Sequence, residues 1–430
     1  MPARMGGFRH VSIYLATALM ACVFSVFGQH TAEAQCLSCG NDMGSCPAPD
    51  PVLETPGPSP YFNDPCGGGY ECCWTRFYCH DGHPARWYVT TEFMPMFRDE
   101  GGSYAMQSSG PAYIREINVI PGVGDPPGPD QYADVGRPIP DIVLGTGDFD
   151  ADLDPGVRIT IGYALGDWYR LEGSWRGAYS WSDSVSVLGP SNLYSPFSNF
   201  GDPDNYLGLG DPAQPQFVPT LTDQDENFRA SIAFSSKMND AELNLRRRVR
   251  MRRGGAVHGR HRGIGEASFL VGLRYMNISE TFDYETISAV GTNEVAIDTN
   301  NDMFGVQIGG LAQILVLDRA WVDVDIKGVA FFNQASAASA YTSPTDGPFT
   351  YDDEEDRATF MGDLSVTFNY QFARAWTFRV GYNALWLSGV ALATENFNTD
   401  IAMLENGPGS VNHSGSVAYH GPQIGVVWAR

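Results

Sequence analysis

The chain has 430 residues, of which 18% are charged and 12% aromatic, and its formal net charge is −23. So little charge beside so many aromatic side chains excludes intrinsic disorder, which needs the opposite balance. After Gly28 no run approaches the roughly 18 consecutive apolar residues of a membrane-spanning helix, so helical spans are excluded as well.

Residues 1–34 read as a secretory signal. Arg4, Arg9 and His10 precede an apolar stretch from Val11 to Gly28, and Ala32-Glu33-Ala34 is a small-x-small cleavage site. Residues 35–84 are rich in Cys, Pro and Gly and carry Cys36, Cys39, Cys46, Cys66, Cys72, Cys73 and Cys79, the last cysteine of the chain. In an exported chain such a segment is most simply a disulfide-stapled periplasmic module. A metal site through Cys36-x-x-Cys39 with Cys72-Cys73 is the weaker reading, because no second CxxC stands at matching spacing. Seven cysteines cannot all pair within one chain, which leaves one thiol free or joined to another chain.

Residues 85–430 alternate with period two, the pattern of half-exposed strands. Ten strands are predicted. The first lies near 85–98. The second sets Val157, Ile159, Ile161 and Tyr163 against Arg158 and Thr160, and the third sets Tyr169, Leu171, Trp175 and Tyr179 against Arg170, Glu172, Ser174 and Arg176. The fourth, near 226–247, changes phase at Lys237, which predicts a bulge or a break. The fifth, near 265–283, contains Arg274, and the sixth, near 299–317, sets Phe304, Val306, Ile308, Ile314 and Val316 against Gln307 and Gln313. In the seventh, Val322, Val324 and Ile326 oppose Asp323, Asp325 and Lys327. In the eighth, Leu364 to Phe372 by twos oppose Asp363, Ser365, Thr367, Asn369 and Gln371. The ninth sets Trp376, Phe378, Val380 and Tyr382 against Thr377, Arg379 and Asn383, and the tenth occupies 415–430.

The joins alternate between short and long. Leu165-Gly166-Asp167, Leu317-Asp318-Arg319 and Phe372-Ala373-Arg374-Ala375 are tight, whereas long connections are expected near 99–153, 184–225, 284–298, 338–357 and 394–413. Sorting by parity is what a transmembrane barrel requires, with tight periplasmic turns on one rim and long loops on the other. The fold class is therefore all-β, an antiparallel transmembrane β-barrel of about ten strands (between eight and twelve) behind an irregular Cys-rich segment. Arg158, Arg170, Glu172, Arg176, Arg274, Asp323, Asp325, Lys327, Asp363 and Arg379 should line the lumen. Trp168, Tyr169, Trp321, Trp376 and Trp428 sit beside the short turns, as an interfacial aromatic girdle would.

Charge is sorted between the rims. No Lys or Arg lies between Arg176 and Arg229, while Asp183, Asp202, Asp204, Asp211, Asp223, Asp225 and Glu226 do. The 338–357 segment holds Asp346, Asp352, Asp353, Glu354, Glu355 and Asp356 against Arg357. Such loops solubilise the outer rim, and clustered carboxylates suit hard Ca²⁺ or Mg²⁺. Asp148, Asp150, Asp152 and Asp154 are spaced like calcium ligands, but Leu153 and Ile159 stand where an EF-hand needs Gly and Glu. The turn from 246 to 262 carries eight arginines and suits anionic lipid or cell-wall polymer better than nucleic acid in an exported barrel.

Three segments resemble the beta-barrel porin family of planctomycete-type bacteria: Asp148 through Tyr163, Ala241-Glu242-Leu243-Asn244 with the arginines after it, and His420-Gly421-Pro422-Gln423-Ile424-Gly425. The resemblance covers about residues 85–430 and implies an outer-membrane barrel with no catalytic residues. The chain departs from the usual terminal aromatic by ending in Arg430, so Trp428 would have to serve in assembly.

A rim enzyme would need an oriented histidine. His413 and His420 are the candidates, and the sequence places no carboxylate to orient either. Barrels of about eight strands are filled by side chains, and open channels appear nearer sixteen, so a ten-stranded lumen should be narrow or closed. The reading is a non-enzymatic outer-membrane barrel without a resident cofactor, structural or a narrow cation-favouring small-solute pore. The alternative is surface adhesion or divalent-cation binding through the acidic loops. Outer-membrane lipid, cell-wall polymer and a second copy joined through the odd cysteine are the expected partners.

Overall fold

The computed structural model describes residues 79–80, 83–84, 86–100, 104–109, 118–120, 131–133, 141–149, 153–166, 168–198, 200, 225–249, 263–317, 319–344, 348–399 and 410–430. The expected signal segment, the six cysteines from Cys36 to Cys73 and the arginines of 250–262 lie outside these. Cys79 falls in a two-residue strand paired with His83–Pro84.

Ten antiparallel strands close into one ring: β1 (Trp87–Phe93), β2 (Val157–Leu165), β3 (Tyr169–Tyr194), β4 (Asn227–Val249), β5 (Gly263–Ile287), β6 (Thr292–Leu317), β7 (Ala320–Thr342), β8 (Phe349–Ala373), β9 (Trp376–Val390) and β10 (Gly415–Ala429). Each pairs with its neighbour in the chain, and β10 closes onto β1. Beyond Pro95, residues Phe97–Glu100 resume pairing with β10. Two short strands of the β1–β2 connection, Ala105–Ser109 and Asp141–Gly145, pair with each other, and Met106 and Leu144 on them are buried. The β2–β3 turn passes through Gly166 at φ +76°, a conformation that favours glycine.

Six strands, β3 to β8, run 23 to 26 residues, whereas about 9–11 residues cross a membrane. Their outer face shows where the crossing stops. On β6 the outward residues Val316, Ile314, Ile308, Val306 and Phe304 are apolar and exposed, and Asp302, Asn300, Asp298 and Glu294 continue the same face above them. On β5 Phe269, Val271, Leu273 and Tyr275 give way to Asn277. On β7 Val322 to Phe332 give way to Gln334. The first polar residues Asn239, Asn277, Asp302, Gln334 and Asp356 are direct cross-strand partners in one continuous row.

The interior inverts at the same level. Below the row it is charged; a first buried apolar cluster straddles the row and a second lies above it. The lower one contains Met94, Met96, Tyr179, Trp181, Met238, Met276, Met303, Phe331, Met361 and Tyr419. The upper one contains Met106, Ile232, Phe282, Tyr284, Ile297 and Tyr341. The lower half is thus solvated by lipid outside, and the upper half has the apolar-in, polar-out pattern of a water-exposed barrel.

This inversion corrects several expectations. The phase change at Lys237 is neither bulge nor break, since β4 pairs with β5 without interruption from Arg229 to Val249; the buried face changes from polar to apolar while the parity holds. The irregularity lies in β3, where pairing with β4 shifts between Arg176 and Tyr179 and Ala178 takes φ +68°. That extra residue exchanges the faces, so Tyr179 is buried inside rather than sharing the outer face of Trp175. The segments 284–298 and 338–357 are strand extensions rather than loops. They meet in a tight turn in the first case, where Ser288 N–H bonds Gly291 O, and between Thr342 and Phe349 in the second. Trp321 does not join the girdle. It shares the parity of Asp323 and is fully buried in the interior, while Trp87, Trp168, Tyr169 and Trp376 face out at that rim.

Candidate functional site

The charged layer of the lower interior is built from strands whose outward neighbours are apolar, so every second side chain is turned into the ring. All ten lumen residues read from the alternation face inward. Arg158, Arg170, Glu172, Arg176, Arg274, Asp323, Lys327 and Asp363 are buried, and Asp325 and Arg379 are half-buried. Four more partners belong to the layer and were not read from the sequence: Glu92, Asp240, Glu242 and Arg246.

Its geometry is a chain of ion pairs around the ring. Arg158 Nε donates to Glu92 Oε2 at 2.6 Å and Nη2 to Gln423 at 3.1 Å, and Arg379 stands 3.5 Å from the other Glu92 oxygen. Asp363 Oδ2 accepts from Arg176 Nη2 and Arg274 Nη1, each at 3.1 Å, while its Oδ1 accepts from Asn383 at 3.0 Å. Arg274 also holds Asp240, and Lys327 Nζ lies 2.9 Å from both oxygens of Glu242. Arg246 bridges Glu172 and Asp325 at 2.8 Å each, and Arg170 stands 3.5 Å from Glu172. Asp323 accepts from Asn369 Nδ2 at 2.9 Å. Burial of single charges is prohibitive, so these survive only as mutually neutralising, hydrogen-bonded sets. Among the described residues named here, seven acids (Glu92, Glu172, Asp240, Glu242, Asp323, Asp325, Asp363) face seven bases (Arg158, Arg170, Arg176, Arg246, Arg274, Lys327, Arg379), so these pairs balance. Glu92 and Glu242 were legible in principle, because each interrupts an apolar-alternating stretch on the inward parity.

Of the carboxylates considered for metal, Asp148 and Asp154 are described, and each accepts a backbone N–H. Asp148 Oδ2 accepts the Gly145 N–H at 2.8 Å, and Asp154 Oδ2 accepts the Ser180 N–H at 2.6 Å. Asp150 and Asp152 lie outside the described residues. Among the described residues no three His, Cys, Asp or Glu side chains are grouped to hold a metal ion. In the acidic stretch of β8, Asp352, Glu354 and Asp356 point outward and Glu355 points inward, where Arg357 lies 3.3 Å away.

Glu355 also corrects the histidine expectation. Its Oε2 is 3.4 Å from Nδ1 of His413, so a carboxylate does stand beside that ring. The same nitrogen lies 2.8 Å from the Val411 carbonyl, and Ser414 Oγ bonds Asn412 instead of the histidine. His420 is on the outer face, its Nδ1 2.7 Å from Tyr382 Oη.

Among solved structures, the chain is similar to the outer membrane protease OmpT from Escherichia coli, with 10% identity, 80% of this chain and 96% of that chain covered, and TM-score 0.39. It is also similar to the translocator domain of the autotransporter NalP from Neisseria meningitidis, at 8% identity, coverage of 81% and 90%, and TM-score 0.30. A third likeness is to the CymD monoaromatic hydrocarbon channel, at 10% identity, coverage of 80% and 89%, and TM-score 0.25. At such distance none of these bears on activity. No curated protein matches the sequence. A family profile described as putative beta barrel porin-7 (BBP7) matches residues 124–423, and the chain belongs to that family.

Proposed function

We propose that the protein is a non-enzymatic outer-membrane barrel, closed at rest, whose role is structural: it anchors a rigid, water-exposed upper barrel above the membrane. One observation carries this reading. Among the described residues the interior carries buried side chains along its height, ion pairs toward the short turns and two apolar clusters beyond them. An ion entering from outside would have to cross the apolar levels without hydration, at the cost that burying a charge always carries. Planar-bilayer recording on the refolded full chain tests it. Long closed intervals are expected, and any residual steps should be small and favour cations because the mouth is acidic. A steady conductance on the scale of a general-diffusion porin would overturn the reading.

A second reading, divalent-cation-dependent surface adhesion, is favoured by the outward placement of Asp352, Glu354 and Asp356 on the exposed wall of β8. It predicts that vesicles carrying the barrel cluster with Ca²⁺ and disperse with a chelator. Neutralising the three carboxylates should abolish clustering.

A further inference from the structure

The β9–β10 connection does not stay at the rim. From Val390, the last residue of β9, the chain turns into the barrel, and Val390, Ala391, Leu392, Ala393 and Thr394 are all at most 2% exposed. Val390 and Leu392 pack in the lower apolar cluster, and Ala393 packs in the upper one with Phe397 against it. A loop segment therefore runs through both apolar levels, which are otherwise built mostly of strand side chains.

It is held by its backbone. Asn301 on β6 donates from Nδ2 to the Ala391 carbonyl at 2.8 Å and accepts the Ala391 N–H on Oδ1 at 2.8 Å, while Asn333 donates to the same Oδ1 at 3.0 Å. Two levels away, Glu280 Oε2 accepts the Ala393 N–H at 3.2 Å. Its Oε1 takes Arg98 Nη2 at 2.6 Å and Ser236 Oγ at 3.0 Å. The Phe397 ring lies edge-on to Phe197, Phe282 and Tyr284 at 5.5 to 5.7 Å.

Filling this volume with strand side chains would be simpler. A buried Arg98–Glu280 pair among apolar residues gains little over an apolar substitute. An amide that both donates to and accepts from one residue acts as a strand partner that can be let go. The small side chains of Ala391 and Ala393 leave little to dislodge, and the surrounding methionines are unbranched and adapt to a changed volume. We propose that Val390–Phe397 is an in-chain plug, latched by Asn301 and Glu280, whose withdrawal toward the outside opens the upper barrel. The proposal rests on the closed-barrel reading and says what keeps it closed. The ion-paired layer beneath remains a second constriction, so the opened form conducts in small steps.

The test uses the full chain carrying Ala393→Cys, in vesicles, with a polar maleimide whose product at position 393 is read by peptide mass. The latch is removed with Asn301→Ala and, separately, with Glu280→Met together with Arg98→Met, which leaves no charge stranded. Heat-modifiable gel mobility reports that each barrel has folded. Labelling should be slow in the parent and faster in both latch variants by on the order of tenfold, the effect of losing a buried hydrogen-bonded contact on a local opening. Brief conductance steps absent from the parent should appear in the same variants. Unchanged labelling in folded variants would overturn the latch. Faster labelling without conductance would overturn the plug, leaving the segment a core filler. A parent that conducts steadily while the introduced thiol stays protected would instead sink the closed-barrel reading.

Discussion

Arg274 grips Asp240 on the neighbouring strand through two hydrogen bonds, from Nε to Oδ1 at 2.8 Å and from Nη2 to Oδ2 at 2.6 Å. The fork matches the carboxylate, and both groups are almost wholly buried. The same guanidinium reaches Asp363 on β8, so one side chain ties three strands across the lumen. This is how a ring whose outer face gains nothing from water fixes its register.

Breaking that pair by halves should therefore be worse than removing it. Asp240→Ala leaves Arg274 with less compensation in a dry interior and should cost about 3–5 kcal/mol. The double variant with Arg274→Met should lose less, because no charge is stranded. Urea titration of vesicle-inserted barrels measures both, and equal losses would mean that the pair is not the unit of stability.

Lipid and lumen faces of β7 should respond oppositely to charge. Val324→Arg places a guanidinium against hydrocarbon and should cost about 2–4 kcal/mol near mid-membrane. Asp323→Asn keeps an acceptor for Asn369 Nδ2 and should be tolerated better. Assembly yield and heat-modifiable mobility report both, and similar damage from the two would count against this register.

Ten strands were legible because lipid and lumen impose opposite polarity on successive residues, most cleanly from Asp363 to Phe372. The upper half was not. There β5 and β6 keep the same parity but exchange polarity at Asn277 and Asp302, so beyond Asp283 the outward Glu285, Glu294 and Asp298 resemble a loop. The plug was invisible for another reason. Val390 to Ala393 follow no period, and only the surrounding barrel decides that they turn inward. Glu280 did leave a signal, a charge between Ile278 and Phe282 on an otherwise apolar face, but its meaning depends on a backbone N–H more than a hundred residues away.

Tryptophans that look equivalent along the short-turn rim should behave differently. Trp321 is fully buried in the lumen, and Trp321→Ala should cost about 3–5 kcal/mol through the cavity it leaves. Trp376 is 43% exposed on the outer face, and Trp376→Ala should cost much less. Brominated lipid should quench the fluorescence component lost in Trp376→Phe but spare the one lost in Trp321→Phe. Equal quenching would return Trp321 to the girdle.

The cysteine head carries its own expectation. Six of Cys36, Cys39, Cys46, Cys66, Cys72, Cys73 and Cys79 can pair within one chain, and the seventh can join a neighbour. Adjacent Cys72 and Cys73 should bond to different partners, because a vicinal bridge is strained. Non-reducing gels should show a dimer that collapses with reductant. A monomer with all seven thiols open to alkylation would favour a reduced metal site.

Acid should stabilise one part of the exposed wall. Asp283 lies on β5 beyond the apolar belt, and Glu285 beside it is paired across the strands with Glu294. Burial, then the charges of Asp298 and Glu294, hold the Asp283 carboxyl above its ordinary value. A raised folded pKa in an acid means that folding favours the protonated form. The stabilisation it brings is complete below the unfolded pKa and is lost as pH rises through the folded one. Asp283→Asn should therefore tighten the β5–β6 hairpin at neutral pH and make no difference near about pH 3. Because the group is largely exposed, the gain should stay below about 0.5 kcal/mol. Amide hydrogen exchange across residues 281–298 resolves so local an effect. Faster exchange in the variant at neutral pH, or a difference that persists in acid, would show that repulsion among these carboxylates does not act on the hairpin.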